Sequence, residues 1–424
     1  METVKRIGKK YTDTSLVLRI FIGIIIGIIL AFAIPNATGI GTLGSLFVGA
    51  LKAIAPVLVA VLVAGSLCQG TAKLDRRFGL VILLYIISTY LAAFTSVIAS
   101  FVFPQTIKLA ATPSADQTPA APDGIGEVLY GLLMKIIANP INSVAEANYL
   151  GILFWAVVLG FALKKYAGSE TKRVMLDFSN AVTEAVRWII NLAPFGICGL
   201  VYSSVSESGM EIFISYGKLL ALLVGTMLIV AFVIDPLIVA IVLKTNPYPL
   251  VFRCVKESGL TAFFTRSSAA NIPVNMELCE KLGLDRDMYS VSIPLGSTIN
   301  MDGAAVTITV MTLATVHTLG MPISLPEAVL LSFLAALGAC GASGVAGGSL
   351  LLIPMACSLF GISDDISMEV VAVGFIVGVI QDSMETAINS SGDVIFAATA
   401  EYAQWKKEGK SLPVFLGGTT KVDI

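Results

Sequence analysis

Apolar runs of bilayer-spanning length alternate with short polar breaks along most of the chain. Runs at 16–34, 43–67, 78–103, 149–163, 181–201 and 219–243 approach or exceed the roughly 20 residues that a transmembrane helix needs; the fourth, short by itself, extends a broken helix around Pro140. Beyond Lys244 the pattern changes. Segment 251–280 is apolar but interrupted by Thr265, Arg266, Ser267, Ser268 and Asn271, with Pro273 just beyond. Too polar at its centre to cross lipid as one helix, it reads as a helix that enters the membrane, turns at the serines and leaves on the same side. A span at 291–319 follows, in which Gly303, beside Asn300 and Asp302, is expected to break the helix. Segment 326–360 is a second interrupted run, broken by Gly338, Gly341, Ser343, Gly344, Gly347 and Gly348. The last run, 371–400, carries Asp382, Glu385, Thr386, Asn389 and Asp393, whose helical spacing puts them on one polar stripe. Two interrupted segments, each followed by a helix with a polar centre, form an internal repeat of inverted type and point to a binding site at mid-membrane.

Composition agrees with this reading. Of 424 residues, 56% are hydrophobic and only 13% charged, against about 25% charged in soluble domains, and the mean hydropathy is +0.87. Without the alternation of a membrane barrel, the fold class is an all-α polytopic membrane protein. The formal net charge is −2, with no long basic or acidic block, so nothing suggests nucleic acid as a partner. Lys and Arg concentrate before the first run (Lys5, Arg6, Lys9, Lys10) and after the second, fourth and sixth, whereas the loop 104–126 holds only Lys108. That bias places the amino terminus in the cytoplasm. The start METVKRIGKK is followed by a long apolar run without a convincing cleavage site, so the first helix is expected to remain. The six cysteines are scattered, with no C-x-x-C pair, and read as small packed residues; the lone His317 cannot anchor a histidine metal cluster.

Candidate chemistry lies in the second half. An aspartate at the depth of Asp302 is expensive in a bilayer and points to function, with a buried structural role as the alternative. Tyr85, Ser88 and Thr89 crowd one turn of the third run, either to satisfy local carbonyls or to form part of a polar site. The glycines of the second interrupted run could serve close helix packing, but packing does not explain the accompanying acids.

At TRSSAANIP, NMDG, GACGASGVAGG and QDSMETAINSSGD the sequence resembles the dicarboxylate/amino acid:cation symporter family, in its bacterial serine/threonine:sodium symporter branch, over essentially the whole chain. The resemblance implies eight transmembrane helices plus two re-entrant helical hairpins, a glutamate-transporter-like elevator fold and a homotrimer. It implies residues 1–76 as the first two helices of a trimer scaffold and 77–104 as the third helix, part of the transport domain. Residues 105–210 would form an external loop and the remaining scaffold helices. Residues 211–403 would complete the transport domain, with hairpins at 248–285 and 325–362, and 404–424 would be a cytoplasmic tail. Carried over residue by residue, Asp382 matches the aspartate that holds the substrate ammonium and Asn389 the amide that holds its α-carboxylate, with Thr386 as a supporting contact. Ser267 and Ser268 match the first hairpin tip, with Arg266 beside them; Gly341, Ser343 and Gly344 match the second, which closes as a gate. For sodium, the transported coupling ion, Asp393, Asn300, Asn389 and the Gly296 carbonyl resemble one site. Asp302, Asn300, Tyr85, Ser88 and Thr89 resemble another, and backbone around Thr298 a third. Hard oxygen ligands suit a small hard cation.

Departures from the family pattern bear on substrate. Where members that carry acidic amino acids have an arginine, this chain has Glu385, and where their NMDGT ends in threonine it has Ala304. A substrate side-chain carboxylate would be repelled by Glu385, whereas a hydroxyl could donate to it, which favours L-serine and L-threonine. Arg266 is expected to keep Glu385 ionised. The function expected is sodium-coupled import of serine and threonine across a bacterial plasma (inner) membrane, with both termini cytoplasmic. Exchange of neutral amino acids and proton coupling through Asp302 or Asp393 are its close alternatives. An intramembrane aspartyl protease built on Asp302 and Asp393 is a weaker one: SSGD lacks the first glycine of G-x-G-D, and the stripe of Asp382, Thr386 and Asn389 has no task there. His317 has no triad pattern near it, and the interrupted runs favour a gated carrier over a channel. The chain is not expected to be an enzyme.

Overall fold

The computed structural model describes residues 14, 16–35, 37–69, 76–109, 134, 136–146, 148–209, 211–340, 342 and 347–422. Among them helices alone form regular structure, in keeping with a bilayer solvent that leaves backbone groups no partner outside the helix. In chain order these are α1 (Leu16–Ala33), α2 (Thr38–Gln69), α3 (Arg76–Val102), α4 (Pro140–Ala145), α5 (Tyr149–Tyr166), α6 (Ser169–Asn191), α7 (Ala193–Ser208), α8 (Glu211–Ile229), α9 (Asp235–Leu243), α10 (Tyr248–Cys254), α11 (Leu260–Thr265), α12 (Ile272–Lys281), α13 (Arg286–Ile299), α14 (Asp302–Thr318), α15 (Leu325–Ala339), α16 (Ile353–Cys357) and α17 (Asp364–Lys407). Short π segments, Val230–Ile234 and Val255–Gly259, join α8 to α9 and α10 to α11. Most of the expected external loop 104–126 lies outside the described residues.

Four segments among the described residues are long and apolar enough to cross a membrane: Arg77–Val102, Ile214–Leu243, Arg286–Thr318 and Asp364–Lys407. A bent pair, α6 with α7, makes a fifth if taken as one span. The expected continuous helix at 181–201 is corrected here. It straddles a 50° bend between α6 and α7, and Pro194, at the start of α7, explains the break: it supplies no N–H and disfavours helix in the residue before it. Helix α6 is amphipathic, burying Ser179, Val182, Val186 and Ile190 at helical spacing while Arg173, Glu184 and Arg187 are exposed.

Helices α1, α2, α5, α6 and α7 pack mainly on one another. Exposed Phe21, Ile25 and Ile29 follow each other at four-residue steps on α1, as suits a helix whose outer face meets lipid. A second set centres on α14, which is buried from Asp302 to Val316 and packs against α3, α15 and α17. Within α14, buried Thr315 meets its hydrogen-bonding need locally by donating to the Met311 carbonyl at 2.8 Å. Arg77 ties the start of α3 to Asp285 at 2.9 Å and to Glu401 near the end of α17 at 3.3 Å. Helix α17 continues to Lys407, past the expected start of the tail at 404, and Thr245 fastens the segment after it by donating to the Leu416 carbonyl at 3.1 Å.

All six cysteines are free thiols. The break expected at Gly303 falls one turn earlier, at Asn300 and Met301, between α13 and α14. Asn300 has φ −94° and ψ 83°, outside the helical region, and Gly303 lies inside the first turn of α14.

Candidate functional site

The polar stripe of α17 faces inward, and each of its five residues is buried. Asp382 joins two chain segments that are far apart in the sequence. Its Oδ2 accepts from Arg266 Nε at 2.6 Å and its Oδ1 from the backbone N–H of Gly347 at 3.0 Å. Arg266 caps α11 with φ 52°, a left-handed conformation that costs a non-glycine residue about 1–3 kcal/mol and persists where the surroundings fix it. Here the ion pair with Asp382 fixes it, both side chains being under a tenth exposed. This corrects the expected pairing of Arg266 with Glu385. The left-handed turn aims the guanidinium at Asp382, and Glu385 is satisfied by neutral donors: Thr307 at 2.8 Å, Ser349 at 2.8 Å and Gln381 at 2.6 Å all donate to its Oε2. Thr386 donates to the Asp382 carbonyl at 2.7 Å, one turn back along its own helix.

Asn389 acts at the break between α13 and α14. Its Oδ1 accepts from the Gly303 N–H at 2.8 Å, one of the first-turn donors of α14 that no helical carbonyl can reach. Its Nδ2 contacts Met301 Sδ at 3.3 Å. Gly303 permits this approach. A Cβ there would stand 2.6 Å from Glu385 Cα and 2.8 Å from the Glu385 carbonyl oxygen, so Gly303→Ala is expected to force α14 from α17 at a cost of about 1–3 kcal/mol. The check is a thermal melt of purified protein in detergent: Gly303→Ala should melt lower than the parent, whereas Gly79→Ala, which meets nothing within 4 Å, should not.

Deeper in the same break lies a cluster of oxygens. Asp302 Oδ1 accepts from Ser88 at 3.0 Å and Thr89 at 2.8 Å, and Ser88 also reaches Asn300 Oδ1 at 3.2 Å. Asn300 Nδ2 donates to Asp393 Oδ1 and to the Asn389 carbonyl, both at 3.1 Å. Tyr85 donates to the Asp393 carbonyl at 3.0 Å. Gly296 packs against this group, since a Cβ there would be 2.7 Å from Asp393 Oδ1, but its carbonyl accepts the Asn300 N–H at 2.9 Å. Asp302 and Asp393 are fully buried, and the remaining oxygen of each, Oδ2, has no hydrogen-bond partner. Orphaned carboxylate oxygens beside hydroxyl and amide oxygens are what a small monovalent cation can coordinate, and the cation would offset the cost of burying them.

The structure thus brings Tyr85, Ser88, Thr89, Gly296, Asn300, Asp302, Asn389 and Asp393 together, and Arg266, Asp382, Glu385 and Thr386 beside them. Ser268 is buried in the first tip, and Ser267 accepts from the Ala270 N–H at 3.2 Å. Thr298 remains apart, its hydroxyl donating to the Leu295 carbonyl at 2.8 Å in its own helix. Gly341, Ser343 and Gly344 lie outside the described residues.

Sequence pattern alone does not single out Thr307, Ser349 and Gln381, the partners of Glu385. The four-residue step from Gln381 to Glu385 is the one local signal that could have found any of them. Nor does it single out a buried clasp between the first interrupted segment and α17. There, Asn271 donates to Ser390 Oγ at 2.7 Å, Asn275 to the Ser390 carbonyl at 3.0 Å, and Ser258 to Asn275 Oδ1. These contacts hold the π segment before α11 and the start of α12 to the helix that carries the stripe.

Known proteins match this chain over nearly its whole length. It is 60% identical to a serine/threonine transporter SstT of Bifidobacterium adolescentis over 98% of this chain and 96% of that one. It is 55% identical to the protein of the same name from Streptococcus thermophilus over 95% of this chain and 100% of the other. A third, from Streptococcus agalactiae, is 56% identical over 96% and 100%. Residues 16–402 match the model of the sodium:dicarboxylate symporter family, and the chain belongs to that family.

Proposed function

We propose that this chain is a sodium-coupled symporter that imports serine and threonine across the bacterial plasma membrane. The observation that carries the reading is the charge arrangement on α17: Asp382 shared between Arg266 and the Gly347 N–H, and Glu385 one turn away among neutral donors only. Two carboxylates against one guanidinium favour a substrate that brings an ammonium and no extra carboxylate. Serine and threonine also appear in the names of relatives 55–60% identical over nearly the whole chain, and the family name supplies sodium.

In this reading the substrate ammonium binds Asp382, and the α-carboxylate lies by Asn389 and the backbone donors of the two tips, with Ser267, Ser268, Gly341, Ser343 and Gly344 contributing. The side-chain hydroxyl donates to Glu385, with Thr386 in support. Discrimination rests on Glu385 Oε1, since Oε2 already accepts from Thr307, Ser349 and Gln381: an analogue without the hydroxyl forgoes a hydrogen bond to a charged acceptor, worth about 1.5–3 kcal/mol. Sodium binds at the Asn300–Asp393 and Ser88–Thr89–Asp302 clusters, with a backbone site near Thr298 as the third. Because Asn389 and Asn300 each touch both the stripe and the break, an ion that orders the break also orders the substrate contacts. Linkage then requires substrate to raise sodium affinity by the same factor.

The architecture proposed is eight transmembrane helices with re-entrant hairpins at 248–285 and 325–362, both termini cytoplasmic, in a homotrimer. Helices α1, α2 and α5 to α7 would form the scaffold, and α3 with the elements after residue 210 the moving transport unit. Preferential packing within each set supports that division. The test is the sodium dependence of labelled serine uptake by Asp302→Asn and Asp393→Asn. Each should raise the half-saturating sodium concentration at least about tenfold, equal to about 1.4 kcal/mol; unchanged sodium curves in both would remove the cation clusters from the mechanism.

A further inference from the structure

Asp235 lies outside both oxygen clusters, in the apolar stretch VAFVIDPLIV, and is only 1% exposed. Its backbone N–H donates to the Val230 carbonyl, the five-residue step that closes the π segment. A π turn re-aims the side chains that follow it and is frequent at functional positions. Pro236 supplies no N–H, and the Phe232 carbonyl four residues before it accepts from the Tyr248 hydroxyl at 3.2 Å. The irregularity at Asp235 is therefore built into the helix and separately satisfied, while the carboxylate is not: its Oδ1 has no hydrogen-bond partner.

Its neighbours are the helices of the cation clusters. Helix α9 packs on α3, which carries Ser88 and Thr89, and on α17, which carries Asp393. Asp235 is close enough to Asp302 for the two carboxylates to interact electrostatically. Among the described residues no basic side chain pairs with Asp235, Asp302 or Asp393, and each has one unpartnered buried oxygen. Nor do the acids converge on one centre: no three such groups among the described residues are placed to hold a single metal ion. An ionised acid buried beside another, with no cation from the protein, is strongly unfavourable unless a cation from solution accompanies it or it takes up a proton.

We propose that Asp235 is a further cation-binding carboxylate, which holds one sodium ion beside the Ser88–Thr89–Asp302 cluster and adds to the number of ions the carrier takes up. The inference rests on the sodium-coupled reading. Its test separates the two, because it measures binding of ²²Na⁺ to the purified full-length protein as well as serine uptake into liposomes. Asp235→Asn, of the same shape, should either lower saturating ²²Na⁺ binding by one ion per chain or raise the half-saturating concentration at least about tenfold. It should also reduce the steepness of sodium activation of serine uptake. Asp235→Glu should restore binding at least in part. If Asp235→Asn does not yield folded protein, Asp235→Ser is measured in the same way. Binding and activation curves equal to the parent's would overturn the proposal and make Asp235 a protonated structural side chain. Absence of sodium-dependent serine uptake by the parent itself would overturn the transport reading, while ²²Na⁺ binding of parent against variant would still decide Asp235.

Discussion

Glu385→Arg is expected to lower serine uptake by at least about a hundredfold, which corresponds to about 3 kcal/mol. The carboxylate is buried and accepts from Thr307, Ser349 and Gln381 through a single oxygen. Arginine offers donors and no acceptor, so two hydroxyls and one amide lose their partner at a cost of about 1–3 kcal/mol each where no new acceptor is found. A second guanidinium would also stand one helical turn from Asp382, which already pairs with Arg266, and would compete with a substrate ammonium for that carboxylate. Glu385→Gln retains one acceptor oxygen and should lose far less. The measurement is labelled serine uptake by both variants, with aspartate uptake alongside: any gain of acidic substrate should appear in Glu385→Arg alone. Serine uptake by Glu385→Arg at the parent's level would remove Glu385 from substrate selection.

Asp382→Ala is expected to abolish serine uptake and to destabilise the protein. The change strands the Arg266 guanidinium, which is 8% exposed, and removing one partner of a buried ion pair costs about 3–5 kcal/mol. It also takes the acceptor from the Gly347 N–H and the support from the left-handed turn at Arg266. A lower melting temperature should therefore accompany the loss of transport. The double change Asp382→Ala with Arg266→Met removes the stranded charge, so it should recover much of the thermal stability without recovering uptake. Stability and transport separate in that comparison, which divides the part of the Arg266–Asp382 pair in binding from its part in folding.

Features carried by local spacing were legible in the sequence. The stripe from Asp382 to Asp393 depends only on helical periodicity, and its burial follows from its place in an apolar run. Tyr85, Ser88 and Thr89 were visible as three hydroxyls in one turn, although only the fold shows that two of them serve Asp302 rather than their own helix alone. Pairings across the chain were not legible. Arg266 and Asp382 are 116 positions apart, and whether the arginine meets Asp382 or Glu385 depends on a backbone turn of positive φ that no spacing rule predicts for arginine. The break at Asn300 was displaced from the expected Gly303 because glycine there serves close approach to Glu385, a tertiary need that leaves the helix intact. The bend at Leu192 was missed because hydropathy averages over it, while Pro194 was the available signal. Asp235 was equally visible as an acid in an apolar run, but reading 219–243 as plain span concealed it.

Coupling of sodium to a neutral, hydroxylated amino acid rests on the buried acids of α14 and α17. Its most direct measurement uses the purified protein in liposomes, an inward sodium gradient and labelled serine. Serine should accumulate above its external concentration, lose that accumulation when choline replaces sodium, and meet competition from unlabelled threonine but not from aspartate. Accumulation that persists in choline, or uptake blocked by aspartate as well as by serine, would contradict it.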